Sequence, residues 1–385
     1  MSWVPDFARA GGRQSRAGRY EAFVPDPVAE YEPELSSATS TLAERAGLSV
    51  RELNADPEGL LSPEGLGRQL LRSEALASSQ IEGLNISPRK LAEADLADRD
   101  GHHKAQEIVG NIRALELATE IGADADPLDV DAITRIHREM TTGTSLDRIA
   151  GQLREEPSWI GGRSPVDAEF VGPPWQKVRP LLEDLCEFMD RDDISPVAQA
   201  AIAHAQFELI HPFGDGNGRV GRCLIQVIFR RRKLAPRYLP PVSIVLGANK
   251  DAYISGLESF REDQVDGWVL QFARAVETAS EQARSFSSSV AELQEAWRTK
   301  LGRVRSDAAV LSVISLLSKF PILTTGVAEK EIGRSRPVTI EALDRLESIG
   351  ALTRHRNQKK GDSWEAKELF ALLDEFERRV RRPAG

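Results

Sequence analysis

Only two cysteines, Cys186 and Cys223, occur in the 385 residues, so neither a disulfide framework nor thiolate metal spacing is available. Each lies in an amphipathic stretch, "LLEDLCEFM" and "GRCLIQVIF", which predicts core thiols and a reducing, cytoplasmic setting. No apolar run approaches the roughly 18 residues that span a bilayer. The start, "MSWVPDFARAGG", has no apolar core followed by a small-residue cleavage site, so no membrane partner is expected. Cations are in deficit too: 50 Lys/Arg against 59 Asp/Glu give a net charge of −9, which argues against the whole chain binding nucleic acid. The deficit is uneven. Residues 301–385 hold 16 Lys/Arg against 12 Asp/Glu, and the first 300 hold 34 against 47.

What is present is mostly helical pattern. Residues 1–36 are rich in Pro, Gly and Ala and read as chain extended over a surface or partly mobile. From there to about residue 300 apolar residues recur at the helical period, with helix starts at Ser62-Pro63, His103, Asp126-Pro127, Pro174, Pro196 and Asn217, and around Asn249 and Asp266. One segment breaks the pattern. "GQLREEPSWIGGRSPVDAEFVGPP", residues 151–174, reads as a flap or loose hairpin. From about 305 the chain reads helix ("DAAVLSVISLLSKF"), helix ("TTGVAEKEIG"), helix ("RPVTIEALDRLESIG"), then two short strands about a basic turn. Three helices and a wing predict a winged helix-turn-helix domain.

The chemistry concentrates in "FELIHPFGDGNGRVGRCLIQVIFR", residues 207–230. "GNGRVG" satisfies G-x-G-x-x-G, but a dinucleotide fold needs a strand before it and an acidic residue about 20 positions on. Here a helical "VAQAAIAHAQFELI" precedes it and "PPVSIVL" carries no acid. A calcium loop from Asp215 fails because Arg219, Val220 and Gln226 stand where ligands and an invariant glycine belong. Walker A is absent. The remaining reading is an anion cradle at a helix N-terminus, lined by the amides of Gly216 to Gly218. Arg219 and Arg222 oppose the helix dipole unless an anion sits between them. Asp215 is a hard ligand suited to Mg²⁺ arriving with phosphates, and His211 is placed to take a proton. His102, His103, His137 and His204 carry no metal-ligand spacing, and His204 reads as core or as a support to His211.

"HPFGDGNGRVGR", His211 to Arg222, fits H-P-F-x-[D/E]-G-N-G-R-x-x-R at every defined position and so resembles the active-site motif of the Fic (Fido) family. Trp159 to Pro174 looks like that family's target-docking flap, with Gly172 where many relatives carry proline. "SSQIEG", from Ser78 through Glu82 to Gly83, resembles its inhibitory motif. The likeness covers about residues 20 to 290. It implies an all-α Fic fold with a small β-hairpin flap, joined to the C-terminal winged helix. The expected division is 1–100 with an inhibitory helix at about 63–83, 101–290 as catalytic core, and 301–385.

The resemblance further implies a protein adenylyltransferase that moves AMP from ATP to a Ser, Thr or Tyr hydroxyl of a protein. His211 would be the general base and Asp215 the Mg²⁺ ligand. Gly216, Asn217 and Gly218 would cradle phosphate oxygens, and Arg219 and Arg222 would neutralise the β/γ end. Tyr253 falls where relatives place a tyrosine near the adenine; a structural Tyr fits the same sequence. Gly218 favours nucleotidyl over phosphoryl transfer, since phosphate-transferring members resemble one another in carrying Lys there. Glu82 would inhibit by meeting Arg222. The implied partners are ATP, a protein target at the flap, the chain itself as target, a second copy in a homodimer, and DNA or protein at the C-terminal domain. Two other readings stay open: removal of AMP at the same site with Glu82 activating water, and a nucleotide-sensing DNA-binding regulator resting on Arg354, His355, Arg356, Lys359 and Lys360.

Overall fold

The computed structural model describes residues 1–3, 17–55, 62–96, 103–305, 308–356 and 361–380, so that His102, Lys359 and Lys360 lie outside the described residues. In chain order the elements are β1 (Ser2–Trp3), β2 (Gly18–Arg19), α1 (Ser37–Asn54), α2 (Pro63–Ile81), α3 (Pro88–Leu96), α4 (His103–Ala123), α5 (Val130–Thr141), β3 (Trp159–Ile160), β4 (Phe170–Val171), α6 (Trp175–Asp190), α7 (Pro196–Ile210) and α8 (Asn217–Arg231). There follow α9 (Val242–Ala248), α10 (Lys250–Arg261), α11 (Val265–Leu301), α12 (Ala309–Leu317), β5 (Ile322–Thr324), α13 (Thr325–Ile332), α14 (Arg336–Ser348), β6 (Thr353–His355), β7 (Ser363–Glu365) and α15 (Lys367–Val380). The fold is all-α with small sheets.

Local chemistry sets the helix starts. Ser62 caps α2 by accepting the Gly65 N–H at 3.0 Å, with Pro63 at the first helical position. α5 begins later than Asp126-Pro127 suggests. Asp129 takes the capping role, accepting the Ala132 N–H at 2.7 Å, while the Leu128 N–H is held by Asp190 at 2.9 Å.

The chain divides into two compact units. The first comprises Met1–Glu44, Arg113–Arg232 and Asp251–Ala273, and the second Arg45–Ile112, Lys233–Lys250 and Arg274–Gly385. At the centre of the first is α7, buried almost all round because its alanines let neighbours approach closely. α6 and α8 pack against it, and α5 packs on both of those. The described part of the N-terminal stretch is extended and tied down: Val28 and Ala29 donate to Asp184 at 2.6 and 3.1 Å, and the Phe23 N–H donates to Val171 O at 2.9 Å.

In the second unit α2 packs on α9, and the buried Glu74 carboxylate accepts both the N–H and the hydroxyl of Ser243. α12, α13 and α14 pack on one another beside an antiparallel sheet of order β5-β7-β6, over a core that includes Trp297 and Trp364.

Candidate active site

α7 stops at Ile210 because His211 turns left-handed, at φ 49° and ψ 61°. Its N–H still closes on Phe207 O at 2.9 Å. A non-glycine residue there carries strain of order 1 kcal/mol, so the surroundings must hold it. Arg154 does: its backbone N–H donates to Pro212 O at 2.9 Å and its Nε to His211 O at 2.7 Å. The His211 Nδ1 lies 3.2 Å from Glu208 O. A carbonyl only accepts, so this contact assigns the proton to Nδ1 and makes Nε2 the basic nitrogen.

The loop after His211 is braced from inside. The Asn217 side chain pairs with both backbone groups of Phe213, accepting its N–H at 2.8 Å and donating to its carbonyl at 2.9 Å. Phe213 is fully buried and stacks on His137 with ring centroids 3.9 Å apart. His137, buried on α5, accepts the Gly151 N–H at Nδ1 (3.0 Å), so Nε2 carries the proton and donates to Asp215 O (3.1 Å). Burial pushes its pKa down to about 4, against the raising influence of the Asp215 carbonyl contact. His137 is therefore a neutral strut that fixes the loop. Residue spacing gave no sign of this role; a histidine on the buried face of an amphipathic helix was the one available signal.

Gly216 begins α8 at φ 83°, and a Cβ there would meet Met140 Cε at 2.5 Å. The positive φ demands glycine, whereas the Met140 methyl ends a flexible side chain that can shift. The Asp215 side chain is 61% exposed, 3.8 Å from Arg219, and also accepts the Gly216 N–H. Arg219 and Arg222 are buried in the first two turns of α8. Arg222 Nη1 lies 3.4 Å from the Tyr253 hydroxyl, which meets His204 Nε2 at 2.7 Å, and the His204, Tyr253 and Trp268 rings pack as a triangle. Gly221 lets α8 approach α7: a Cβ would come within 2.8 Å of Glu208 Oε1 and 3.0 Å of His204 Nδ1.

The flap is a two-stranded antiparallel hairpin, Trp159 opposite Val171 and Ile160 opposite Phe170. Asp167 fixes its tip by accepting from the amides of Arg163 and Ser164 and from the Ser164 hydroxyl. Gly172 donates its N–H to Ser158 O at 3.0 Å, a bond that proline at this position could not make. β4 takes the Phe23 N–H on Val171, and Ile160 on β3 stands half-exposed.

The first unit thus brings together His211, Asp215, Gly216, Asn217, Gly218, Arg219, Arg222 and Tyr253. Ser78, Glu82 and Gly83 belong to the second unit. There Ser78 is buried on α2, Glu82 is the C-cap, and Gly83 follows at φ 83°, with Lys250 Nζ donating to Ile81 O at 2.6 Å. Among the described residues no three His, Cys, Asp or Glu side chains converge on a metal position. A divalent ion would depend on Asp215 and on oxygens brought by a substrate, which suits Mg²⁺ better than Ca²⁺.

Residues 127–229 match the Fic/DOC family, and residues 40–120 match the Fic/DOC family N-terminal region. The chain is 31% identical over 139 residues to the protein adenylyltransferase fic-1 of Caenorhabditis elegans, across 35% of this chain and 26% of that protein. It is 34% identical over 203 residues to a probable protein adenylyltransferase of Aquifex aeolicus, across 51% of this chain and 57% of that one. The chain thus spans about a quarter of the nematode protein's length and little more than half of the Aquifex protein's. Its fold is similar to the crystal structure of a Fic family protein from Desulfovibrio desulfuricans G20, with TM-score 0.54 and 22% identity over 87% of this chain and 98% of that one.

Proposed function

The chain belongs to the Fic/DOC family, and on that premise we propose that it is a protein adenylyltransferase, moving AMP from ATP to a Ser, Thr or Tyr hydroxyl of a protein. One observation supports this above the rest: His211, held with Nε2 as its basic nitrogen, directly precedes a loop that ends in the amide-lined start of α8, with two buried arginines in its first two turns. In the step, the target hydroxyl oxygen bonds to the α-phosphorus, the bond to the bridging oxygen breaks, pyrophosphate leaves, and the hydroxyl proton passes to His211 Nε2. The positive end of α8 and the guanidinium groups of Arg219 and Arg222 stabilise the phosphate charge. Because the Asn217 side chain is committed to Phe213, phosphate would meet its backbone amide. Asp215 would hold Mg²⁺, which supplies charge neutralisation at the phosphates when bound.

An extended target segment would pair with β3, whose partner strand β4 takes the Phe23 N–H on its Val171 carbonyl. Glu82 acts in this reading as a brake on nucleotide use. Residues 301–385, with their order of helix, strand, two helices and hairpin, act as a winged helix that meets a regulatory partner. The test is incubation with ATP labelled separately at the α- and γ-phosphates. Label retained on protein from the α-position alone supports AMP transfer; retention of γ-label contradicts it.

A further inference from the structure

Arg154 is a buried cation that sequence spacing did not single out, and it makes no ion pair among those described; backbone carbonyls surround it instead. Its Nη1 donates to Glu156 O at 2.9 Å, and its Nη2 to Pro173 O at 2.7 Å and Ile210 O at 3.3 Å, in addition to the Nε bond to His211 O at 2.7 Å. Glu156 and Pro173 lie on the two arms of the flap, outside its β3–β4 hairpin. Ile210 and His211 are the last residue and the C-cap of α7, where helix carbonyls lack intrahelical donors and carry the negative end of the dipole. One planar fork with fixed donor directions therefore ties its own arm of the flap, through Glu156 two residues on, to the returning arm at Pro173 and to the end of α7. Burial lowers the Arg154 pKa to about 10, so the group is still charged at neutral pH.

We propose that Arg154 is a positioning residue that couples the flap to the base: a target segment seated on β3 fixes the flap arms, and the guanidinium passes that order to the left-handed backbone that presents His211 Nε2. The inference rests on the adenylyltransferase reading for its chemistry and on the hydrogen bonds alone for its mechanics. Three features carry it. His211 is strained and must be held from outside. The guanidinium touches the carbonyl of that same residue. Its other donors reach both flap arms, as a residue that merely capped α7 would not need to do.

The test uses the full chain with Arg154→Met and Arg154→Lys, measuring amide hydrogen exchange, ATP affinity by equilibrium titration, and transfer of α-label. In Arg154→Met the amides of Gly172 and His211 should exchange about tenfold faster or more, with the centre of α7 unaffected. Transfer should fall roughly 10- to 100-fold, as expected for a misplaced base, with ATP affinity within about twofold. Lysine, which cannot bridge all four carbonyls, should be intermediate in both. Unchanged exchange at Gly172 and His211, or an ATP affinity that falls in step with transfer, overturns the proposal. Should Arg154→Met fail to fold, wild type against Arg154→Lys decides by the same amides. Should wild type transfer no α-label, the adenylyltransferase reading fails while the exchange comparison still decides the coupling.

Discussion

Two stretches of this chain look alike as strings, each a turn flanked by basic residues, and they are built in opposite ways. In the loop from His211 to Arg222 the arginines are buried at the positive end of α8, and the Asp215 carboxylate stands 3.8 Å from Arg219 and largely exposed. In the β6–β7 hairpin, Arg354 lies between Asp362 at 2.6 Å and Asp344 at 3.4 Å, and over the Trp364 ring at 4.9 Å. His355 there meets Glu365 at 2.8 Å, and Glu365 is also paired with Arg89. A phosphate approaching the β6–β7 hairpin would have to displace carboxylates, whereas one approaching α8 meets a helix N-terminus and two buried guanidinium groups. This geometry takes away part of the case for a DNA-binding wing.

The comparison breaks hardest at His211. His211→Ala should cut α-label transfer by roughly 10²- to 10⁴-fold while ATP affinity, read by titration, stays close to wild type. Next comes Asp215→Ala, for which a loss of about 10- to 100-fold is expected, partly recovered by excess Mg²⁺. Full activity without any divalent ion would remove Asp215 from its role.

His137 sharpens the contrast through pH. With a folded pKa of about 4 against an ordinary 6.5, the neutral strut gives its full stability above pH 6.5. As pH falls below that value the unfolded chain takes the proton first, and up to about 3 kcal/mol is lost by about pH 4. Denaturant unfolding of wild type should therefore weaken more steeply between pH 6.5 and 4 than unfolding of His137→Asn. The smallest effect is expected in the β6–β7 hairpin. Its ion pairs are partly exposed, so Arg354→Ala should barely change thermal unfolding and leave label transfer within about twofold.

Much of the fold was legible because helices advertise themselves over many residues: the starts of α2, α7 and α8 follow from Ser62-Pro63, Pro196 and Asn217. α3, α9 and β5 were not singled out, since nine, seven and three residues carry too few periods to count. α15 was also missed, although its apolar face is regular, because the two short strands read about the basic turn were carried on to Leu369, over its first turn. In the site, the residues of the His211–Arg222 motif could be read from one contiguous string. His137 and Arg154 could not, because each acts through backbone groups from remote chain segments, and a carbonyl leaves no mark in sequence. The Asn217 side chain was read as part of a phosphate cradle, and its geometry instead braces the loop through Phe213.

The central claim is that this loop transfers AMP with His211 as base, under restraint by Glu82. Its most direct test compares Glu82→Gly with Glu82→Gly/His211→Ala in self-modification by α-labelled ATP. The account predicts labelling well above wild type in the single variant and none in the double. Labelling of the single variant at or below the wild-type level would contradict the restraint, and strong labelling of the double variant would contradict the base.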